Sequence, residues 1–277
     1  SIAFNGTDAA GNAATAVTVT GVTFDTTAPT AAITYTSASP YNNTETVTII
    51  ATFSEAMADS PVVKIALSGA ATLTATAMTK ESATEYRYSY TVPEANGTQT
   101  VALSVGTDVA GNAITSAPTS GADFVIDSTA PSAFDVGTVI TSGGTVVAGK
   151  LNGTNTTVKV TVPIADDATL NGGTVQLQAK VDDGAYINLG GTSAISAVNA
   201  DKEIAYAESD LDGITGFAEG VVLTFRAIIT DTAGTSTTGT ASTTTLTVDQ
   251  VAPTVTSVNA NKADGSYNSG ESIPVYI

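Results

Sequence analysis

The side chains able to do chemistry in this sequence are carboxylates set at recurring positions. An Asp-x-Ala-Gly pattern starts at Asp8, Asp108 and Asp231 and is closed by Asn12, Asn112 and Thr235. Some 17 to 19 residues beyond each, Asp-x-x-Ala-Pro recurs at 25–29, 127–131 and 249–253. Glu55 adds a carboxylate within Thr52-Phe53-Ser54-Glu55-Ala56-Met57, and Asp166 and Asp167 stand at the corresponding place further along. Carboxylates surrounded by loop carbonyls and amide oxygens are hard donors, and calcium takes six to eight such oxygens at about 2.3–2.6 Å. One candidate set is Asp25, Glu55 and Asp108, with Asn112 or nearby carbonyls completing the shell. A second is Asp127 with Asp231 and Asp166 or Asp167. The competing reading is purely local: each turn aspartate accepts hydrogen bonds within its own turn, and the junction aspartates do likewise.

Other chemistry is excluded by composition. The 277 residues contain no cysteine and no histidine, which removes thiol nucleophiles, imidazole bases, disulfides and zinc sites built on those ligands. Nine Lys and Arg against 26 Asp and Glu give a net charge of −17, which repels nucleic acids and anionic membranes. No apolar run approaches the roughly 20 residues needed to span a bilayer. The pairs Asp166-Asp167 and Asp182-Asp183 are unsuited to act as a glycosidase acid and base, because neighbours on a strand point to opposite faces. Tyr86, Tyr88 and Tyr90 read as core packing rather than as a sugar platform. Sequons begin at Asn5, Asn42, Asn96, Asn152 and Asn155; all but the first fall in predicted turns and are expected to be accessible.

Positioning these carboxylates requires strands. Residues 46–53 alternate strictly, with Val47, Ile49, Ala51 and Phe53 on one face and threonines opposite, as a half-buried strand requires. The pattern recurs through Leu103 and Val105 and, in the second half, through Val160, Val162, Leu177, Leu223 and Phe225. These residues are expected to form two cores. The junction prolines are 102 and then 122 residues apart, the size of one sandwich domain. The organisation expected is a partial domain over 1–28, complete domains over 29–127 and 128–249, and a further partial domain over 250–277. Ile2, Phe4, Val17, Val19 and Phe24 are expected to pack on strands upstream of residue 1, since an isolated hairpin is marginal in water. The extra length of the second repeat is placed in a longer lead-in and in a short helical turn near residues 208–214. The fold class expected is all-β: tandem immunoglobulin-like seven-strand antiparallel sandwiches joined end to end. In such a sandwich two loops meet at the pole where the first strand begins, which brings Glu55 and Asp108 toward Asp25.

The combination of Asp-x-x-Ala-Pro, Asp-x-Ala-Gly-Asn and the 52–57 segment resembles the bacterial immunoglobulin-like repeats of large cell-surface adhesins and related surface proteins, over the whole chain. The resemblance implies an extracellular, cell-surface location and, as in several members of that group, joints stiffened by calcium. The second repeat departs from the pattern: Thr235 replaces the asparagine, and Pro163-Ile164-Ala165-Asp166-Asp167 replaces Phe-Ser-Glu. Calcium is therefore less expected at the joint involving Asp127.

Two functions compete. The leading expectation is a non-enzymatic stalk segment of a repetitive adhesin, whose partners are neighbouring repeats. Other copies or host and cell-surface ligands would be engaged through regions outside these residues, with no nucleic acid and no membrane insertion. The alternative is a subunit of a self-assembling extracellular filament or surface layer. An enzyme whose catalytic domain lies elsewhere is a distant third.

Overall fold

A computed structural model describes residues 2–4, 6–15, 17–19, 21, 23–260 and 262–276. The side chains of Ile2, Phe4, Val17 and Val19, and so the packing expected of them, lie outside the described residues, whereas Phe24 is described and is 88% exposed. The chain is all-β and divides into two compact units, Ser1–Ala130 with Thr232–Thr235, and Pro131–Asp231 with Ser236–Ile277. Among the described residues no helix is long and apolar enough to cross a membrane.

In the first unit, β1 (Ile2–Phe4) and β2 (Val17–Val19) form an antiparallel hairpin. The strands that follow are β3 (Ala31–Tyr35), β4 (Thr46–Phe53), β5 (Lys64–Gly69), β6 (Leu73–Ala77), β7 (Thr79–Lys80), β8 (Glu85–Thr91), β9 (Asn96–Val105) and β10 (Asp123–Asp127). They make two four-stranded antiparallel sheets, ordered β3-β4-β8-β7 and β10-β9-β5-β6. Both sheets contribute to one core, a sandwich-like arrangement. The alternation in β4 buries Val47, Ile49, Ala51 and Phe53, and each large apolar side chain so buried is worth about 1.5–3 kcal/mol. Tyr86 and Tyr90 lie opposite Ala51 and Val47. Tyr86 packs edge-on against Phe53 and Tyr90 against Phe124, so the tyrosine row is core.

Seven strands were expected here and eight segments are seen, because the chain changes sheets in mid-stretch. β6 pairs with β5 in one sheet and β7 with β8 in the other, with the buried Met78 between them donating its amide to the Val63 carbonyl. Val105, expected in the core, is only half-buried. The register skips a residue there, with Ile65 opposite Leu103 but Lys64 opposite Val105, and such a bulge breaks the alternation. Near β10 the backbone at Gly121 (φ +69°) passes so close to β3 that a Cβ would lie 2.0 Å from the Ile33 carbonyl oxygen. Only glycine fits, and the approach lets Tyr35 Oη donate to the Gly121 carbonyl at 2.6 Å.

In the second unit the strands are β11 (Val139–Ser142), β12 (Lys150–Asn152), β13 (Thr157–Ile164), β14 (Thr174–Val181), β15 (Ile187–Asn188), β16 (Ser193–Ala194), β17 (Ala200–Ala207), β18 (Val222–Thr230), β19 (Ser236–Thr238), β20 (Leu246–Asp249), β21 (Asn259–Ala260) and β22 (Val275–Tyr276). One sheet runs β11-β13-β17. The other runs β12-β20-β18-β14-β15, with β16 also on β14 and β19 also on β18. The pair β12–β20 is parallel, and β21 with β22 forms a separate antiparallel pair. Val160, Val162, Leu177, Leu223 and Phe225 are fully buried in one core. The helical turn expected near residue 208 is a 3-10 turn at Glu208–Asp210. Its continuation drops Leu211 and Ile214 into the core, so part of the extra length of this repeat is packing.

Candidate cation site

The turn after β9 is built by its own sequence. Asp108 N–H donates to the Asn112 carbonyl at 3.0 Å and Gly111 N–H to the Asp108 carbonyl at 3.2 Å. Gly111 has φ +96°, a conformation open to glycine and costly for most other residues. The Asn112 backbone and side-chain amides donate to the two Asp108 carboxylate oxygens, each at 2.8 Å. The Asp8 turn repeats these bonds, with Gly11 at φ +89° and Asn12 donating to both Asp8 oxygens at 2.9 Å. The local capping role therefore exists at both turns. What distinguishes Asp108 is its company.

Glu55 is delivered to Asp108 by the segment that follows β4. Ser54 N–H donates to the Thr30 carbonyl at 2.8 Å, and Ala58 N–H to the Thr107 carbonyl at 2.9 Å. Met57, 2% exposed, bridges antiparallel to Asp108. Asp25 is delivered by the junction. Thr27 N–H donates to Asp25 Oδ1 at 3.0 Å, Thr30 N–H to Ser54 Oγ at 3.1 Å, and Thr115 N–H to the Pro29 carbonyl at 3.1 Å. The Asn112 side chain closes the arrangement by donating to the Asp25 carbonyl at 3.2 Å.

One oxygen each from Asp25, Glu55 and Asp108 lie within 4.8 Å of one another. Two ligands on one ion at about 2.4 Å are at most about 4.8 Å apart, so the three carboxylates meet the spacing that a shared calcium requires. The donor set is all oxygen and fits a hard cation. Electrostatics point the same way. Burial, then repulsion from Asp25 and Asp108, push the Glu55 carboxyl above its ordinary range. Asp108, 1% exposed, is raised by burial, but the Asn112 side-chain and backbone bonds with those of Gly111 and Ala110 outweigh this and leave it lowered. Asp8 is likewise lowered, first by the Asn12 side chain.

The residues of the second candidate set are divided between the two units. Asp127 is buried at the end of β10, and its Oδ1 accepts from Thr129 N–H at 3.1 Å, repeating the Asp25–Thr27 contact. Asp166 is exposed. Asp167 caps the 3-10 turn Ala168–Leu170, accepting from Thr169 N–H and Oγ1 at 3.0 and 2.8 Å. Asp231 is buried just after β18, before Gly234 at φ +86°. Asp25, Glu55 and Asp108, all in the first unit, are an acidic group of three close enough to hold one ion.

Sequon accessibility is corrected in part. Asn155 is 5% exposed, and its amide nitrogen donates to the Gly143 and Thr145 carbonyls at 2.9 and 3.2 Å. Asn42 is buried as well. Asn96 is exposed, and Asn5 lies outside the described residues. Searched against family models and curated proteins, the chain matches none.

Proposed function

We propose that this chain is a non-enzymatic structural segment. It consists of tandem immunoglobulin-like seven-strand sandwiches from the stalk of a large repetitive cell-surface adhesin, with calcium holding the joint after Asp25 rigid. The observation that carries this reading is the convergence of Asp25, Glu55 and Asp108 within 4.8 Å, supplied by a junction, a loop and a turn that are far apart in sequence. The sheet orders support the fold reading, since residues 73–80 count as one strand that crosses between sheets at Met78, giving seven. The absence of histidine and cysteine and the recurrence of turn and junction favour a mechanical role over a catalytic one.

The mechanism is electrostatic. Without a cation the three carboxylates repel, and the Asp25 junction is pushed from the loop and turn. A divalent ion converts repulsion into a shared ligand shell, fixing the junction against the sandwich so that force passes along the chain. Extracellular calcium modules have dissociation constants near 10⁻⁴ to 10⁻³ M, and calcium at ten times that value stabilises the bound state by about 1.4 kcal/mol. That biases a hinge without being needed to fold a domain. The calcium proposal is confined to this set. Small-angle scattering of the full chain is expected to show a narrower distance distribution in calcium than in chelator, and no such difference for Glu55→Gln. Coincident curves for the unsubstituted chain in both conditions contradict it.

A further inference from the structure

The chain has nine basic and 26 acidic residues, and its cations divide into those that are ion-paired and those that are not. Among the described residues Lys80, Arg87, Lys150, Lys159 and Lys262 are ion-paired. Lys180 and Arg226 are in no ion pair, yet both converge on one ring. The Arg226 guanidinium carbon lies 4.0 Å from the Tyr186 ring centroid and Lys180 Nζ 5.4 Å from it. The alternation that buries Leu177, Ala179, Phe225 and Ala227 puts Gln178, Lys180 and Arg226 on the opposite face of the β14–β18 pair, with Gln178 opposite Arg226. The guanidinium is held in place: Arg226 Nε donates to Gln178 Oε1 at 2.7 Å, and Gln178 Nε2 donates to Asn188 Oδ1 at 2.8 Å. Nε is thus spent on orientation, while the Nη groups make no protein hydrogen bond among the described residues.

We propose that this face of the second unit binds a carboxylated saccharide, a strand of uronate residues. A pre-oriented guanidinium presents a planar fork that matches a carboxylate, and the lysine adds a second, mobile charge. The half-buried Tyr186 offers apolar ring surface to a pyranose, and the Asn188 amide nitrogen can donate to its hydroxyls. Rings and amides beside the cations favour a sugar acid over an acidic peptide, which needs charge alone. The acidic residues nearest in sequence occupy the turn after β14, where Asp182 is engaged by the Val222 amide at 2.9 Å and Asp183 is exposed. The net charge of −17 is screened beyond about 8 Å at physiological ionic strength, so contact is governed by the local pair of cations. A phosphate-dense polymer would find too few cations here.

The test is titration of the isotope-labelled full chain with a galacturonate oligomer, a neutral galactose oligomer and poly-glutamate. Working in chelator ensures that calcium cannot bridge carboxylates, and it keeps the outcome separate from the joint proposed above. The uronate is expected to bind and to shift the resonances of Lys180, Tyr186 and Arg226. Arg226→Gln is expected to weaken it about tenfold, the scale of one charge-assisted contact. Lys180→Gln gives a second reading should Arg226→Gln unfold. Tyr186→Ala should weaken the uronate but not poly-glutamate, and Lys202→Gln should change nothing. The proposal is overturned if the uronate does not bind, if the neutral oligomer binds as well, or if Tyr186→Ala leaves uronate affinity unchanged, which would mark a charge-only surface for acidic protein.

Discussion

The side-chain amide of Asn112 donates to the backbone carbonyl of Asp25 at 3.2 Å across 87 positions of the chain, while the same nitrogen donates to Asp108 Oδ2 at 2.8 Å. One side chain therefore closes a turn and ties that turn to the junction. Asn12 makes the same turn contact with Asp8 at 2.9 Å.

The two asparagines form a matched pair for measurement. Asn12→Ala removes only the side-chain bond to Asp8, whereas Asn112→Ala removes the equivalent bond to Asp108 and the link to Asp25. With a net worth of about 0.5–1.5 kcal/mol per hydrogen bond, Asn112→Ala is expected to lower unfolding stability by about 1–2 kcal/mol and to speed amide exchange over residues 27–30. Asn12→Ala should leave those amides unchanged. Equal exchange in both variants would mean the link to Asp25 holds nothing.

Gln99 is fully buried and clasps the turn between β5 and β6. Its Nε2 donates to the Ser68 and Ala71 carbonyls, and its Oε1 accepts from Ala71 N–H, all at 2.8 Å. Gln99→Leu keeps the volume and removes the side-chain partner of three backbone groups in a part-buried turn, at about 1–3 kcal/mol for each that water does not satisfy. The urea midpoint should fall clearly with an unchanged slope; an unchanged midpoint would show that water replaces the amide.

Stability in chelator should respond to acid in two opposed stages. The folded Glu55 carboxyl titrates above its ordinary value of 4.5, so the folded state holds more protons than the unfolded one just above that pH. Stability therefore rises as pH falls from neutral through this window. Asp8 and Asp108 are lowered from 3.8, so their contribution is present above that value and is lost as pH falls below it. Melting temperature against pH should pass through a maximum between the two windows. Glu55→Gln should remove the rise and keep the acid-side loss, and a rise that survives this substitution assigns it elsewhere.

The residues most legible in the sequence were those whose burial follows from alternation alone. Val47, Ile49, Phe53, Leu103, Leu177, Leu223 and Phe225 sit in cores as their period-2 spacing requires. The bulge beside Lys64 was not legible, because register is fixed by the partner strand, and Val105 moved outward as a result. β17 was missed because its first half carries Asp201, Lys202 and Glu203 and only Ile204 is buried along it. Nothing in the composition marked Gln99 as core, since a buried amide shows only when its turn is folded around it. The approach of Asp25, Glu55 and Asp108 to one another was legible from turn and junction spacing. What was not legible was the scaffold of Ser54, Met57 and Thr107 that carries Glu55 to Asp108, because those contacts are mostly backbone.

If Glu55, Asp25 and Asp108 repel one another until calcium joins them, removing the Glu55 charge and adding calcium must each raise stability, and not independently. Thermal unfolding of the full chain and of Glu55→Gln is followed in chelator and in millimolar calcium. Glu55 takes no part in the turn bonds, so its substitution leaves the Asp108–Asn112 cap in place. Glu55→Gln is expected to melt above the unsubstituted chain in chelator, because a repelling charge is gone, and to gain little or nothing from calcium, while the unsubstituted chain melts higher when calcium is added. An unsubstituted chain whose melting temperature does not respond to calcium, or a Glu55→Gln chain that gains from calcium as much as the unsubstituted one, would mean that these three carboxylates share no ion.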